Sequence, residues 1–221
     1  MRSVDEKIRR ELKMETTQLI LFTLASLVVI ITPGQDLLLV MSRAVTQGSR
    51  AGIITASGVS VGLLGHSILA ALGLGALLMA SASLFTILKT IGAVYLFYLG
   101  VRLIFSKSNR LDLDSTQRVS SKKLFFTGAF SNISNPHVTI FYFAFLPQFI
   151  PSTVEHPTSQ LFALGVSFAL LTFLVKGPIG YFAGILSTWL RSHPKTITWI
   201  DRISGTMLIG LGLRLALQKQ S

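Results

Sequence analysis

Leu19-Ile-Leu-Phe-Thr-Leu-Ala-Ser-Leu-Val-Val-Ile-Ile31-Thr32-Pro33-Gly34-Gln35-Asp36-Leu37-Leu-Leu-Val-Met41-Ser42 is the stretch that decides the fold. Leu19 to Ile31 carries no charge; a proline, a glycine and a carboxylate then interrupt a run that becomes apolar again at Leu37. At helical rise the whole stretch spans about 36 Å, enough to cross the ~30 Å hydrocarbon core of a bilayer. Proline and glycine open the backbone, and the freed polar groups must then face protein or a water-lined cavity rather than lipid. A carboxylate at that depth costs on the order of 2.5–3.5 kcal/mol on insertion scales. Transporters hold a solute or a proton at such broken helices.

The rest of the 221 residues fits that reading. Half are hydrophobic, only 13% are charged, and the mean hydropathy is +0.62. A soluble domain would carry about 25% charged residues, so the chain reads as an all-α, multi-pass membrane protein. Apolar runs of roughly 20 residues predict six spans, over about 18–42, 50–75, 84–105, 124–150, 159–189 and 197–217. Gly73-Leu-Gly75 is expected to end the second. Residues 1–15 form a mixed-charge leader, read either as a short amphipathic surface helix or as a frayed tail. Residues 16–221 then make one six-helix transporter domain.

Charge placement supplies orientation. Of the 20 Lys and Arg residues, eleven fall in connections 1–2, 3–4 and 5–6, Arg102 among them, and eight on the other side, five of those in the leader. By the positive-inside rule both termini are expected outside. The +11 net charge therefore records topology. Basic loops with few aromatics argue against nucleic acid.

A second break, Asn132-Ile-Ser-Asn135-Pro136, interrupts the fourth span 103 residues after Pro33. Three spans per half put the second half into the membrane with opposite polarity. The expected architecture is two inverted three-helix halves with helices 1 and 4 broken. Thr32, Pro33, Gly34 and Pro136 are the break residues. Each break also carries polar side chains that a mere kink does not require, Gln35 and Asp36 in one, Asn132 and Asn135 in the other.

Several motifs now resemble the LysE amino-acid exporter family, in its RhtB-type (homoserine/threonine efflux-like) branch. They begin with Thr32-Pro33-Gly34-x-Asp36, Leu37-Leu-Leu-Val-Met-Ser-Arg43 and Gly48-x-Arg50-Ala51-Gly52. Gly92-Ala93-x-Tyr95-Leu96-x-Tyr98-Leu99-Gly100 follows, then Phe126-x-Gly128 and Asn132-x-x-Asn135-Pro136. Phe145-Leu146-Pro147-Gln148-Phe149, Arg202-Ile203-Ser204-Gly205 and Gly210-x-Gly212 complete the set, which covers about residues 16–218. The resemblance implies an inner-membrane exporter of amino acids or their derivatives, working by proton antiport. Two positions depart from the family pattern: Gln35 stands where a second proline is usual, and His137 where a lysine or another polar residue is common.

Asp36 is the first candidate for the site. As a carboxylate it could meet a substrate ammonium. As an acid it could carry the exchanged proton, since low-dielectric surroundings favour a neutral carboxyl. Lys176, near the centre of the 159–189 span, could receive a substrate carboxylate or pair with Asp36. His66 shares a helix face with Gly58 and Gly62 and reads either as a proton relay or as a packing histidine. Gln35, Asn132 and Asn135 could bind solute or satisfy open backbone. Gly58-x-x-x-Gly62 could pack within one bundle or between protomers of a homo-oligomer.

The absent motifs matter too. Zero cysteines exclude thiolate ligands and disulfides. Four scattered histidines make no metal cage, and neither a Walker loop nor a nucleophile arrangement is present. No cofactor and no enzymatic activity are expected. Two rivals stay open. One is an exporter of a metal or other inorganic cation, disfavoured because such a site wants several oxygen ligands while Asp36 is the only deep carboxylate, and because Lys176 nearby would oppose a cation. The other is a membrane-embedded enzyme subunit or assembly factor.

Overall fold

A computed structural model describes residues 2–32, 34–105, 118–150, 157–183, 185–186, 189 and 193–217. The apolar runs become helices α1 (Arg2–Ile31), α2 (Gln35–Gln47), α3 (Ser49–Ala80), α4 (Ala82–Ile104), α5 (Ser121–Ile133), α6 (Pro136–Phe145), α7 (Pro157–Tyr181) and α8 (Pro194–Leu217). A 3₁₀ turn, Leu146–Phe149, extends α6, and no strand occurs among the described residues.

Both expected breaks are present. Thr16–Ile31 and Gln35–Gln47 meet at 55°. Thr32 closes α1, its N–H bonding the Val28 carbonyl at 3.1 Å, and the Gly34 carbonyl accepts from Leu38 to start α2. Pro33 lies outside the described residues. At the second break Pro136 occupies the first turn of α6, where its missing N–H costs no helical bond. Asn135 caps that helix, Oδ1 accepting from the His137 N–H at 3.0 Å.

Among the described residues, Ser49–Ala76 and Pro157–Tyr181 are each long and apolar enough to cross a membrane. The bent α1–α2 pair makes a third if counted as one span, and Thr90–Ile104 is a shorter apolar stretch. The outer surface is apolar as well: Leu72, Val94, Phe126, Phe130, Leu174 and Ile185 are all widely exposed. Polar groups such as Ser26, Thr55, Ser67, Asn132 and Thr172 are buried instead. A large apolar exterior around a polar interior suits lipid as the surrounding medium.

One expectation needs correction. α3 does not stop at Gly73-Leu-Gly75 but continues to Ala80. Gly75 lies directly against Thr158 of α7, so this glycine admits a neighbour rather than ending a helix. α7 ends at Tyr181, but the Phe182 N–H bonds the Pro178 carbonyl and the Leu186 N–H bonds the Phe182 carbonyl, so helical structure continues past the turn and Lys176 stays well inside the 159–189 run. Of the two readings of the leader, the helix is the one present: α1 runs from Arg2 without interruption into the first apolar run.

Close approaches define the packing. α3 and α7 touch at Gly52–Gly180, Ser67–Gly165 and Gly75–Thr158, so they run antiparallel. α4 and α8 are likewise antiparallel, meeting at Gly100–Gly205 and at Ala93–Gly212. α3 and α5 run parallel, with Gly58 against Phe125 and Gly62 against Ala129 and Asn132. The Gly58/Gly62 face is thus occupied within the protomer. Phe22, Phe141, Phe145, Phe149 and Phe168 form the aromatic core joining α1, α6 and α7.

A Cβ on Gly62 would come within 2.9 Å of the Asn132 side chain. Gly62→Val should therefore destabilise the bundle by about 1–3 kcal/mol through overpacking. Gly210, with nothing near its Cβ position, should accept alanine. Thermal unfolding in detergent checks both, with Gly62→Val melting well below wild type and Gly210→Ala close to it.

Candidate functional site

The two breaks face each other, and Asp36 is where they meet. It stands in the first turn of α2, where the helix dipole favours a negative charge, and it is only 8% exposed. Its Oδ2 accepts from the Asn132 amide at 2.8 Å and from Lys176 Nζ at 3.5 Å. Its Oδ1 is buried with no partner among the described residues. Lys176 is 7% exposed, so its amino group is held beside Asp36 rather than extended along the helix toward water.

A second contact crosses the breaks beside the first. Asn135 Nδ2 donates to Gln35 Oε1 at 3.2 Å, on the exposed side. Asn135 thus caps α6 with one end of its amide and ties α2 with the other. Asn132 is fully buried, and its backbone carbonyl accepts from Asn135 N at 3.0 Å. That carbonyl also lies 3.1 Å from His66 Nε2. His66, 1% exposed, packs against the Tyr142 ring, while its Nδ1 is buried without a partner. In this arrangement His66 supports the second break from behind and does not touch Asp36.

Asp36, Lys176, Gln35 and Asn135 all line one cavity of about 450 Å³, within the ~300–1,000 Å³ range of small-molecule sites. Its walls come from both broken helices and from α3, α4, α7 and α8. Most of the remaining lining is apolar, from Leu63, Leu99, Val138, Phe141 and Leu208 among others. Thr32, Gly34, Thr172 and His137 also border it, whereas Asn132 and His66 lie behind the wall.

Two lining residues correct the sequence reading. Asp201 on α8 is 6% exposed and borders the same cavity, so Asp36 is not the only deep carboxylate. Arg102, counted as a loop charge, lies in the last turn of α4 and borders it too. Both stand near the ends of their spans, where side chains ordinarily reach out to the headgroups. A signal for Asp201 was available, because it shares one α8 face with Gly205, Leu208 and Gly212 at i+4, i+7 and i+11. The same small-residue spacing pointed His66 inward.

Similarity to known proteins agrees with this architecture. The family model described as LysE type translocator matches residues 27–219. An uncharacterized membrane protein of Bacillus subtilis (strain 168) is 33% identical over 204 residues, covering 88% of this chain and 95% of its own. One from Vibrio cholerae serotype O1 is 29% identical over 198 residues, covering 90% and 96%. A protein of Salmonella typhimurium named homoserine/homoserine lactone efflux protein is 28% identical over 196 residues, covering 88% and 94%. No solved structure matches. The chain belongs to the LysE translocator family, a family of membrane transporters, as the motif resemblance implied.

Asn132→Ala would remove the only neutral side-chain donor to Asp36 among the described residues and should cost about 1–3 kcal/mol, the penalty for a buried group left short of a partner. Gln35→Ala, whose hydrogen bond lies at the exposed edge, should cost under about 0.5 kcal/mol. Unfolding in detergent separates the two, and equal losses would contradict the assigned geometry.

Proposed function

We propose that this LysE-family protein is a secondary transporter that exports a small zwitterion, an amino acid or an amino-acid derivative, from the cell. One observation carries the reading: a carboxylate and an ammonium, Asp36 and Lys176, lie 3.5 Å apart in the wall of a single ligand-sized cavity. A zwitterion presents the complementary pair. Its ammonium can donate to Asp36 Oδ1, the oxygen with no partner, and its carboxylate can draw Lys176 away from Oδ2. Substrate then replaces an internal ion pair rather than adding a charge to a low-dielectric interior, where an unpaired ion is costly. The name of the Salmonella typhimurium relative supports an amino-acid or lactone substrate.

The accompanying membrane reading is a six-span domain of two inverted halves, α1–α4 and α5–α8, in the bacterial plasma membrane with both termini outside. The antiparallel pairing of α3 with α7 and of α4 with α8 supports it, since an inverted repeat sets equivalent helices in opposite directions. Proton antiport gives Asp36 its second role. When substrate leaves, a proton or Lys176 neutralises the carboxylate, and the site can return without carrying a bare charge. A cation cargo is disfavoured by Lys176, which would repel it at the one carboxylate placed between the breaks.

Asp36→Asn should lower export from preloaded vesicles by at least about 100-fold, as expected for loss of a charge-assisted contact in a dry site. Because Lys176 is left unpaired in that variant, Asp36→Asn/Lys176→Met serves as its partner. The double variant should regain membrane yield and stay inactive. Transport by either variant at the wild-type rate would remove Asp36 from the mechanism.

A further inference from the structure

The cavity holds more charge than a zwitterion site requires. Asp36 and Lys176 approach it from α2 and α7, and Arg102 and Asp201 border it from α4 and α8. These are two acids and two bases, so the four cancel. Position separates the second pair from the first. Arg102 lies on one α4 face with Tyr95 and Leu99, at i−7 and i−3, both of which border the cavity. Asp201 lies four residues before Gly205, at the point where α8 touches Gly100 of α4. Both residues therefore reach the cavity from the α4/α8 seam, Asp201 buried and Arg102 exposed.

We infer that Arg102 and Asp201 are specificity-determining residues, a charge filter that confines the cavity to substrates with neutral side chains. The inference rests on the exporter reading above. Every amino acid carries the ammonium and carboxylate that Asp36 and Lys176 answer, so that pair cannot tell one side chain from another. The groups on the α4/α8 seam remain to read the variable part. A matched acid and base offers a neutral side chain both a donor and an acceptor. A charged side chain finds no net counter-charge, faces one group of its own sign, and still loses its hydration. Selectivity of this kind works by exclusion.

The filter has a signed consequence. Removing Asp201 takes one negative charge from the cavity wall, which favours an anionic side chain. Removing Arg102 leaves Asp201, which favours a cationic one. The experiment is efflux from vesicles preloaded with a panel that includes glutamine, glutamate and lysine. Asp201→Asn should raise the glutamate-to-glutamine ratio about tenfold, Arg102→Gln should raise the lysine-to-glutamine ratio about tenfold, and the double variant should return both toward wild type. Unchanged ratios, or a fall common to all substrates, overturn the filter. If a single variant fails to accumulate, wild type decides the matter, because excess internal glutamate must compete with neutral efflux far less well than glutamine does. Equal competition overturns the proposal. Wild type silent toward the whole amino-acid panel overturns the exporter reading and the filter together, whereas active wild type with unmoved ratios overturns the filter alone.

Discussion

The structure depends on one constraint: a carboxylate buried between two helix breaks has to be neutralised without water. Asp36 achieves this with the first-turn dipole of α2, the Asn132 amide at 2.8 Å and Lys176 at 3.5 Å. Each partner comes from a different element, so that single side chain fixes α2, α5 and α7 relative to one another. The 96 and 140 residues separating Asp36 from Asn132 and Lys176 make these long-range ties that local propensity cannot supply.

The close helix packing makes those ties geometrically available. Glycines at positions 52, 62, 165 and 180 let α3 lie against both α5 and α7. That approach brings His66 to the Asn132 carbonyl and sets the second break opposite the first. In hydrocarbon no hydrophobic force holds helices together, so tight van der Waals contact and a few buried polar bonds must do so. Packing and site are therefore one device: enlarge Gly62 and the group displaced is Asn132, the donor to Asp36.

A pair of opposite charges in a cavity wall is also a natural element for a transporter. Fully satisfied, it would be inert; fully unpaired, it would not tolerate burial. Here Asp36 keeps one oxygen without a partner, and Lys176 sits at the long end of ion-pair distance. The cavity beside them takes walls from both broken helices and from four others. Any ligand in that cavity would touch both broken helices and four other helices at once, which is the condition for binding to bias their relative arrangement.

Sequence by itself determined the helices, the two breaks and the acidic and basic groups near them. Proline, Asp36, Lys176 and the two asparagines are costly inside apolar runs, and cost makes them visible. It did not settle where α3 stops, because glycines that admit a neighbouring helix look the same as glycines that end one. Nor did it separate His66 from the site, since a helical face can be read from spacing but not what lies across from it. Asp201 and Arg102 were passed over for a related reason: near span ends a charge can reach water at little expense, so only the small-residue spacing that follows Asp201 marked either of them. Only the antiparallel packing of α4 on α8 buried Asp201 and set it on the same cavity as the still exposed Arg102, and that packing depends on Gly100 and Gly205 meeting across 105 residues of chain.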